Sequence, residues 1–335
     1  MLYKCNLHLF TSVMNTENFR DELKQMALAA HLYYEEGQTQ DEVCRTIGLS
    51  RPTVSRLLRR AKEEGIVQIR IRDPFVLDEQ LAGEIVQAFG IQSALVAPAI
   101  PGRPDLSLKW LGLVAARYLE QRIQANEVIG VGWGRTLSTV SQSLSDMPKD
   151  GVRTVPLLGG LGQISPNFQV HEITRAIATA FNGEWTQVYI PALVDNESLL
   201  QSLVHSPDFQ KLVESWSEVT TALVGIGNLD FDAEMQVLFA KYLDAATRNQ
   251  LAREGAIGDI CMRFFDIQGN PVDGLPGVTG ISLNQIRAIK RVIAVAGGIH
   301  KTQAILGALK GGWIQVLITD DLTARQILLL SRSAK

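Results

Sequence analysis

The spacing of apolar positions changes once along this chain. From Phe19 to about residue 64 apolar residues recur at helical intervals, and from residue 91 they collect into short runs separated by helical stretches. In the first region Leu23, Met26, Ala27, Ala30 and Tyr34 line one face of a helix over 19–36, which Gly37 ends. Thr39 predicts the N-cap of a second helix, with Glu42 at capping-box spacing and Gly48 as its stop. Ser50 caps a third, whose first turn accepts Pro52 without losing a hydrogen bond. Val54, Leu57, Leu58 and Ala61 then bury one face of it. Residues 66–71 alternate apolar and polar, as a strand or small wing does, and Asp73-Pro74 breaks them off. Residues 77–89 read as one more helix, a linker or a subunit contact, with Leu81, Ile85 and Phe89 on a stripe.

Beyond residue 91 strands are predicted at 93–97, 128–131, 154–158, 186–190, 222–226, 292–296 and 314–318. Helices are predicted between and after them, at 106–123, 136–146, 168–181, 198–214, 246–254, 283–288, 301–310 and 322–331. This alternation implies an α/β fold: a mostly parallel, doubly wound sheet covered on both faces, with ligands at the carboxyl ends of strands. The organisation expected is disorder over 1–18, a winged helix-turn-helix over 19–73, a linker helix over 74–90 and a large α/β domain over 91–331. At 335 residues two domains are the natural division.

Net charge sharpens the picture. The whole chain carries −3, which excludes a general polyanion binder, yet residues 38–72 hold eight basic and four acidic side chains, leaving the remainder at −7. Arg51, Ser55, Arg56, Arg59, Arg60 and Lys62 share the outer face of the third helix. A short helix, a glycine turn and a second helix with such a face is the pattern that enters the major groove of DNA, where arginine forks suit guanine edges and phosphates. Thr39, Arg51, Pro52, Thr53, Ser55, Arg56, Arg59 and Arg60 are the candidate DNA-binding residues; a solvated basic helix in a helical hairpin is the alternative. Cys5, Cys44 and Cys261 are scattered and odd in number, so neither disulfides nor a zinc site is indicated. The first residues lack a signal peptide's pattern and no run is long enough to span a membrane, so a cytoplasmic protein is expected.

In the large domain the sharpest chemical signal is IGVGWGRT at 129–136, a strand running into a loop with alternate glycines and then a helix. Glycines expose backbone amides, and the helix N-terminus that follows favours an anion. Gly132, Trp133, Gly134, Arg135 and Thr136 are therefore candidate phosphate-facing residues, although a tight turn needing glycine for packing would look the same. The spacing is not that of a dinucleotide fingerprint. Gly159-Gly160 and Gly297-Gly298 follow two further strands, the second leading through His300 to Lys301. Asp259, among small residues, either caps a turn or accepts hydroxyls from a polyol. Asp320 and Asp321 suit N-capping, and His171, Glu172 and Arg175 suit a solvated helix face. No Ser/His/Asp or Cys/His constellation stands out, nor any metal or cofactor site.

Taken together, the segments 32–71, IGVGWGRT, VPLLGG (155–160), ALVGIG (222–227), GAIGDICMRFFDIQGNPV (255–272) and 294–328 resemble the SorC/DeoR-type sugar-binding transcriptional regulators over nearly the full chain. The resemblance implies a winged helix-turn-helix joined to an effector domain similar to glucosamine-6-phosphate deaminase and ribose-5-phosphate isomerase. It implies a phosphorylated sugar or polyol as effector, double-stranded operator DNA as partner, and a homodimer or homotetramer. Carried over by motif, Gly132, Trp133, Gly134, Arg135 and Thr136 face the phosphate, Gly159 and Gly160 line the same cleft, and Asp259 and Lys301 contact the effector. Trp133-Gly134-Arg135 departs from the smaller residues of the isomerases, which leaves Trp133 to narrow the pocket or stack on a sugar. His300 also departs from the acidic or amide residue often found there, which leaves effector identity open. A repressor of a carbohydrate operon is the reading expected. An isomerase- or deaminase-like enzyme, and a nucleotide-binding protein whose basic helix meets RNA or protein, are the alternatives.

Overall fold

The computed structural model describes residues 21–67, 77–161, 168–230 and 244–333. The disorder expected over 1–18 and most of the strand expected over 66–71 lie outside them. Contacts divide the chain into two units, Met1–Pro74 and Phe75–Lys335.

In the first unit residues 21–30 form a helix (α1) that widens into a single π turn, His31–Glu35, where the Glu36 N–H donates to the His31 carbonyl. α2 (Gln40–Ile47) begins on Thr39, whose side chain accepts the Glu42 N–H while the Glu42 carboxylate accepts the Thr39 N–H, so both halves of the capping box form. Gly48 ends it at φ 71°, the left-handed conformation that glycine adopts at least cost. α3 (Arg51–Glu63) starts on the Ser50 cap with Pro52 in its first turn. Met26, Ala30, Leu32, Val43, Val54, Leu57, Leu58 and Ala61 close a small core from these helices.

The second unit is a seven-stranded sheet whose strands all run parallel. β1 (Ser93–Ala97), β2 (Val128–Val131), β3 (Arg153–Pro156), β4 (Glu184–Trp185), β5 (Thr221–Val224), β9 (Arg291–Val295) and β10 (Val316–Asp320) lie in the order β1-β10-β9-β5-β2-β3-β4. Alternate residues serve alternate faces. Ile129, Val131, Leu223, Ile293, Val295, Val316 and Ile318 pack with residues from the helices Pro104–Arg122, Arg135–Ser143 and Val170–Ala180. Val128, Ala222, Val224, Val292, Ala294 and Leu317 pack on the other side with Trp216, Ile305, Leu309 and Ile327. From β2 the chain moves outward to β3 and β4, then returns to β5 on the other side of β2. This reversal leaves a crevice at the carboxyl ends of β2 and β5, the place where open α/β sheets bind ligands.

Four expectations shift. Residues 198–214 are two helices, Glu197–Val204 and Pro207–Ser217, because Ser206 caps the second and Pro207 occupies its first turn. The strand expected at 186–190 pairs only over Glu184–Trp185 at the sheet edge, and Pro191 makes an isolated bridge to Gly160. The helix at Glu79–Phe89 belongs to the second unit: Leu81 and Ile85 enter its main core, and Asp78 and Glu84 pair with Arg325 and Arg332. A second, antiparallel sheet of β6 (Gly227–Asn228), β7 (Gly258–Ile260) and β8 (Arg263–Phe265) has no counterpart in the sequence reading. Its strands are two or three residues long, too short for any alternation to register.

Candidate functional site

In the first unit the outer face of α3 is built by its own inner face. Burying Val54, Leu57, Leu58 and Ala61 leaves Arg51, Pro52, Ser55, Arg56, Arg59 and Lys62 exposed and Thr53 partly so. Thr39 is exposed at the start of α2. Arg51 lies 3.5 Å from Asp41 and Arg59 lies 3.8 Å from Glu63, both exposed pairs of little strength. Arg56 has no ion-pair partner among the described residues. Arg60 is also held from within its own unit. Its guanidinium is shared by Glu22 of α1 and Glu64, with two bonds of 2.9 and 2.6 Å to the latter, so it ties α3 to α1. Hydrogen bonding to Glu64 first, and the charges of both carboxylates, raise its pKa. Lys62 sits 5.4 Å from the centre of the Tyr34 ring.

In the second unit the ends of β1, β2, β5, β9 and β10 surround one cavity of about 860 Å³. Gly132, Trp133, Gly134, Arg135, Thr136, Asp259 and Lys301 all line it, although they come from three distant stretches of chain. Gly132 docks the loop on β5 by donating to the Leu223 carbonyl at 2.9 Å. Gly134, at φ 114°, turns the chain into the helix Arg135–Ser143, and among the described residues no side-chain cap is found at its start. An anion is what such a helix start would receive, since backbone amides and the helix dipole both favour negative charge. Trp133 rests against the main core while lining the cavity.

Asp259 is placed by its neighbours rather than by its own strand. A Cβ on Gly227 would lie 1.9 Å from its Oδ1, so only glycine lets β6 come this near. Its Oδ2 accepts the Met262 N–H at 2.9 Å. Burial pushes its pKa up to about 6, against the Met262 hydrogen bond and the Lys301 charge that lower it. Lys301 donates to the Ile226 carbonyl at 2.9 Å, and Asn228 donates to the His300 carbonyl at 3.1 Å, so β6 is fastened to the turn after β9. Asp320 caps its helix as expected, accepting the Thr323 N–H at 2.8 Å, and it also accepts the Gly298 N–H at 2.7 Å, fixing the Gly297-Gly298 turn. Asp321 accepts from the Ala99 N–H at 2.8 Å. Burial, and secondarily the nearby Asp259, push the Cys261 thiol up to about 12. Cys261 and Met262 both hold positive φ, a strain of roughly 1–3 kcal/mol each for non-glycine residues.

Gly159 and Gly160, expected in the same cleft, are not among the residues that line it. They follow β3, which lies on the far side of β2 from β5. Their amides donate to Thr279 and Ile190, and a Cβ on Gly159 would stand 2.4 Å from the Ile190 carbonyl oxygen, so glycine there serves packing. A Cβ on Gly160 would stand 2.9 Å from Nε2 of His171, whose ring is partly buried rather than solvated, with burial lowering its pKa. The sequence reading also missed the wall from Ala99 to Leu111, and Phe168, Asn228, Met262 and Phe264. Their only signal was position after a strand or among apolar neighbours, which core residues share. Among the described residues no helix is long and apolar enough to cross a membrane, and no acidic, histidine and cysteine cluster could hold a metal ion.

Known proteins match both units. The family model Sugar-bind, described as "Putative sugar-binding domain", matches residues 73–329, and a MarR-family model matches residues 22–74. The deoxyribonucleoside regulator of Bacillus subtilis is 32% identical over 91% of this chain and 98% of its own length. The sorbitol operon regulator of Klebsiella pneumoniae is 30% identical over 92% and 98%. The crystal structure of that full-length regulator, SorC, superposes with a TM-score of 0.72 over 91% of this chain and 98% of that one. These relatives are transcriptional regulators and not enzymes, which sets the isomerase or deaminase reading aside. A helix-turn-helix unit, a parallel sheet with its cavity at the switch point, and these matches lead to one assignment: the chain belongs to the SorC/DeoR family of sugar-binding transcriptional regulators.

Proposed function

We propose that this chain represses a carbohydrate-catabolism operon and that its hold on operator DNA is set by a phosphorylated sugar or polyol bound in the cavity. The observation that carries this reading is the polarity of the cavity. The uncapped helix start at Gly134, Arg135 and Thr136 suits a phosphoryl group, while Asp259 and Lys301 suit hydroxyls. An anionic group would avoid Asp259, so the ligand has one favourable orientation. The deoxyribonucleoside and sorbitol operon regulators among the relatives support a carbohydrate-derived effector.

Arg51, Ser55, Arg56 and Arg59 read the major groove, with Thr39, Pro52 and Thr53 near the backbone. Arg60 contributes by holding α3 in place. A homodimer or homotetramer presents paired recognition helices to a pseudo-palindromic site. Effector binding acts only through its preference for one arrangement of that assembly. Fluorescence anisotropy of the full chain on its own upstream DNA tests the reading. A saturable, sequence-preferring complex whose affinity changes tenfold or more with one sugar or polyol phosphate is the expected result. Binding that ignores every such compound overturns it.

A further inference from the structure

The hairpin joining β7 to β8 is a strained segment at the cavity. Ile260 and Arg263 face each other in register, so Cys261 and Met262 alone make the turn. Their φ values are 53° and 62°. Two-residue hairpin turns with both residues left-handed ordinarily use Asn-Gly or a similar pair, because branched or bulky side chains resist that conformation. Here a Cys and a Met occupy the turn, both are buried, and both line the cavity.

The hydrogen bonds of Asp259 and Arg263 hold the unfavourable geometry, and the turn packs beside the glycine loop. Asp259 Oδ2 accepts the Met262 N–H at 2.9 Å. Arg263 reaches back to the carbonyls of Val278, Gly280 and Ile281 at 3.2, 2.8 and 3.2 Å. Cys261 Sγ lies 3.6 Å from where a Cβ on Gly132 would stand, so the turn abuts the glycine loop. An Asn-Gly turn would form more easily but would offer the cavity an amide and a bare backbone. Strain kept at a ligand-facing turn over-determined by its surroundings is the pattern of a functional element.

We propose that the Cys261–Met262 turn is the specificity wall of the effector cavity. Its two soft, apolar side chains meet the carbon face of a ligand whose phosphoryl group lies at Gly134–Thr136, an assignment that rests on the cavity reading given above. A hydroxyl pressed against this wall loses its water without gaining a partner, so the wall favours ligands that are deoxygenated where they meet it.

The test measures dissociation constants of the full chain by thermal shift for inorganic phosphate and for matched sugar phosphates with and without a hydroxyl, ribose 5-phosphate and 2-deoxyribose 5-phosphate among them. Met262→Gln keeps side-chain length and makes the wall polar. It is expected to move the preference between deoxygenated and hydroxylated ligands by tenfold or more toward the hydroxylated ones. Cys261→Ser, a one-atom change, is expected to move it several-fold the same way and serves if the first variant does not fold. Folded variants that keep the wild-type preference overturn the inference alone, as does an equal loss for every ligand including inorganic phosphate. A wild-type chain that responds to none of these ligands overturns the cavity reading and this inference with it.

Discussion

The reading head and the cavity of this chain are specified in opposite ways. Most features that shape the helix-turn-helix act within a few residues: Thr39 with Glu42, Gly48 at its left-handed turn, Ser50 with Thr53, and a buried stripe three and four residues apart. The cavity is assembled from the ends of five strands scattered over more than two hundred residues. Its Asp259 carboxylate fits only because a glycine stands on the neighbouring strand, and its Lys301 donates to a carbonyl after β5. Local rules therefore build the part that meets DNA, while topology builds the part that meets the small molecule. Damage to each should travel differently.

The largest effect is expected at Gly227. A Cβ there would strike Asp259, so Gly227→Val should destabilise the second unit by roughly 1–3 kcal/mol and displace the β6–β7 sheet. Calorimetry should show this loss together with a weakened response to sugar phosphates. If both survive, the cavity does not depend on that close approach. Next in size is Arg56→Ala, expected to weaken operator binding by about ten- to hundredfold, as for one lost bidentate base contact. Its melting temperature and its response to sugar phosphates should stay as in the wild type. An unchanged gel shift would remove Arg56 from the DNA-reading face.

Asp259→Asn should act through pH. The carboxyl pKa is raised in the folded chain to about 6. The folded state thus holds a proton that the unfolded chain has released, and the penalty for charging Asp259 is complete only above about pH 6. Stability from this group rises as pH falls through that value toward the ordinary carboxylate range. The variant should be more stable than wild type at pH 7.5 by roughly 1–2 kcal/mol, with the gap narrowing as pH falls below 6 and closing only below the ordinary carboxylate range. A gap independent of pH would contradict the titration of Asp259. The smallest effect is Thr39→Ala, which removes the capping box at about 1 kcal/mol and should act on the first unit alone. Hydrogen exchange of α2 and α3 reads it, and protection lost equally in the sheet would break the separation of the two units.

Legibility in the sequence follows the same division. The caps, the turn glycine and the buried stripe of the first unit stood in the sequence because each is a contact between near neighbours. Strands of the parallel sheet were legible as short apolar runs, since burial on both faces leaves no other pattern. Gly132–Thr136 and Lys301 were singled out by type and by position after a strand, Asp259 by its place among small residues, and they share one cavity. Gly159-Gly160 carried the same local signal and lies elsewhere, because strand order, not the loop itself, decides which loops meet. Arg60 looked like its neighbours on α3, and only the long-range contact to Glu22 separates it from them. The Cys261–Met262 turn was invisible, as neither residue type announces a left-handed backbone.

If the cavity accepts a carbohydrate through its phosphoryl group, the phosphate decides whether a ligand binds. Thermal denaturation of the full chain against a set of sugars and polyols, each with and without phosphate, tests it most directly. One or more phosphorylated compounds should raise the melting temperature in a dose-dependent way, their unphosphorylated counterparts should not, and Arg135→Ala should abolish the difference. Equal stabilisation by the unphosphorylated compounds, or none by any of the phosphorylated ones, would contradict it.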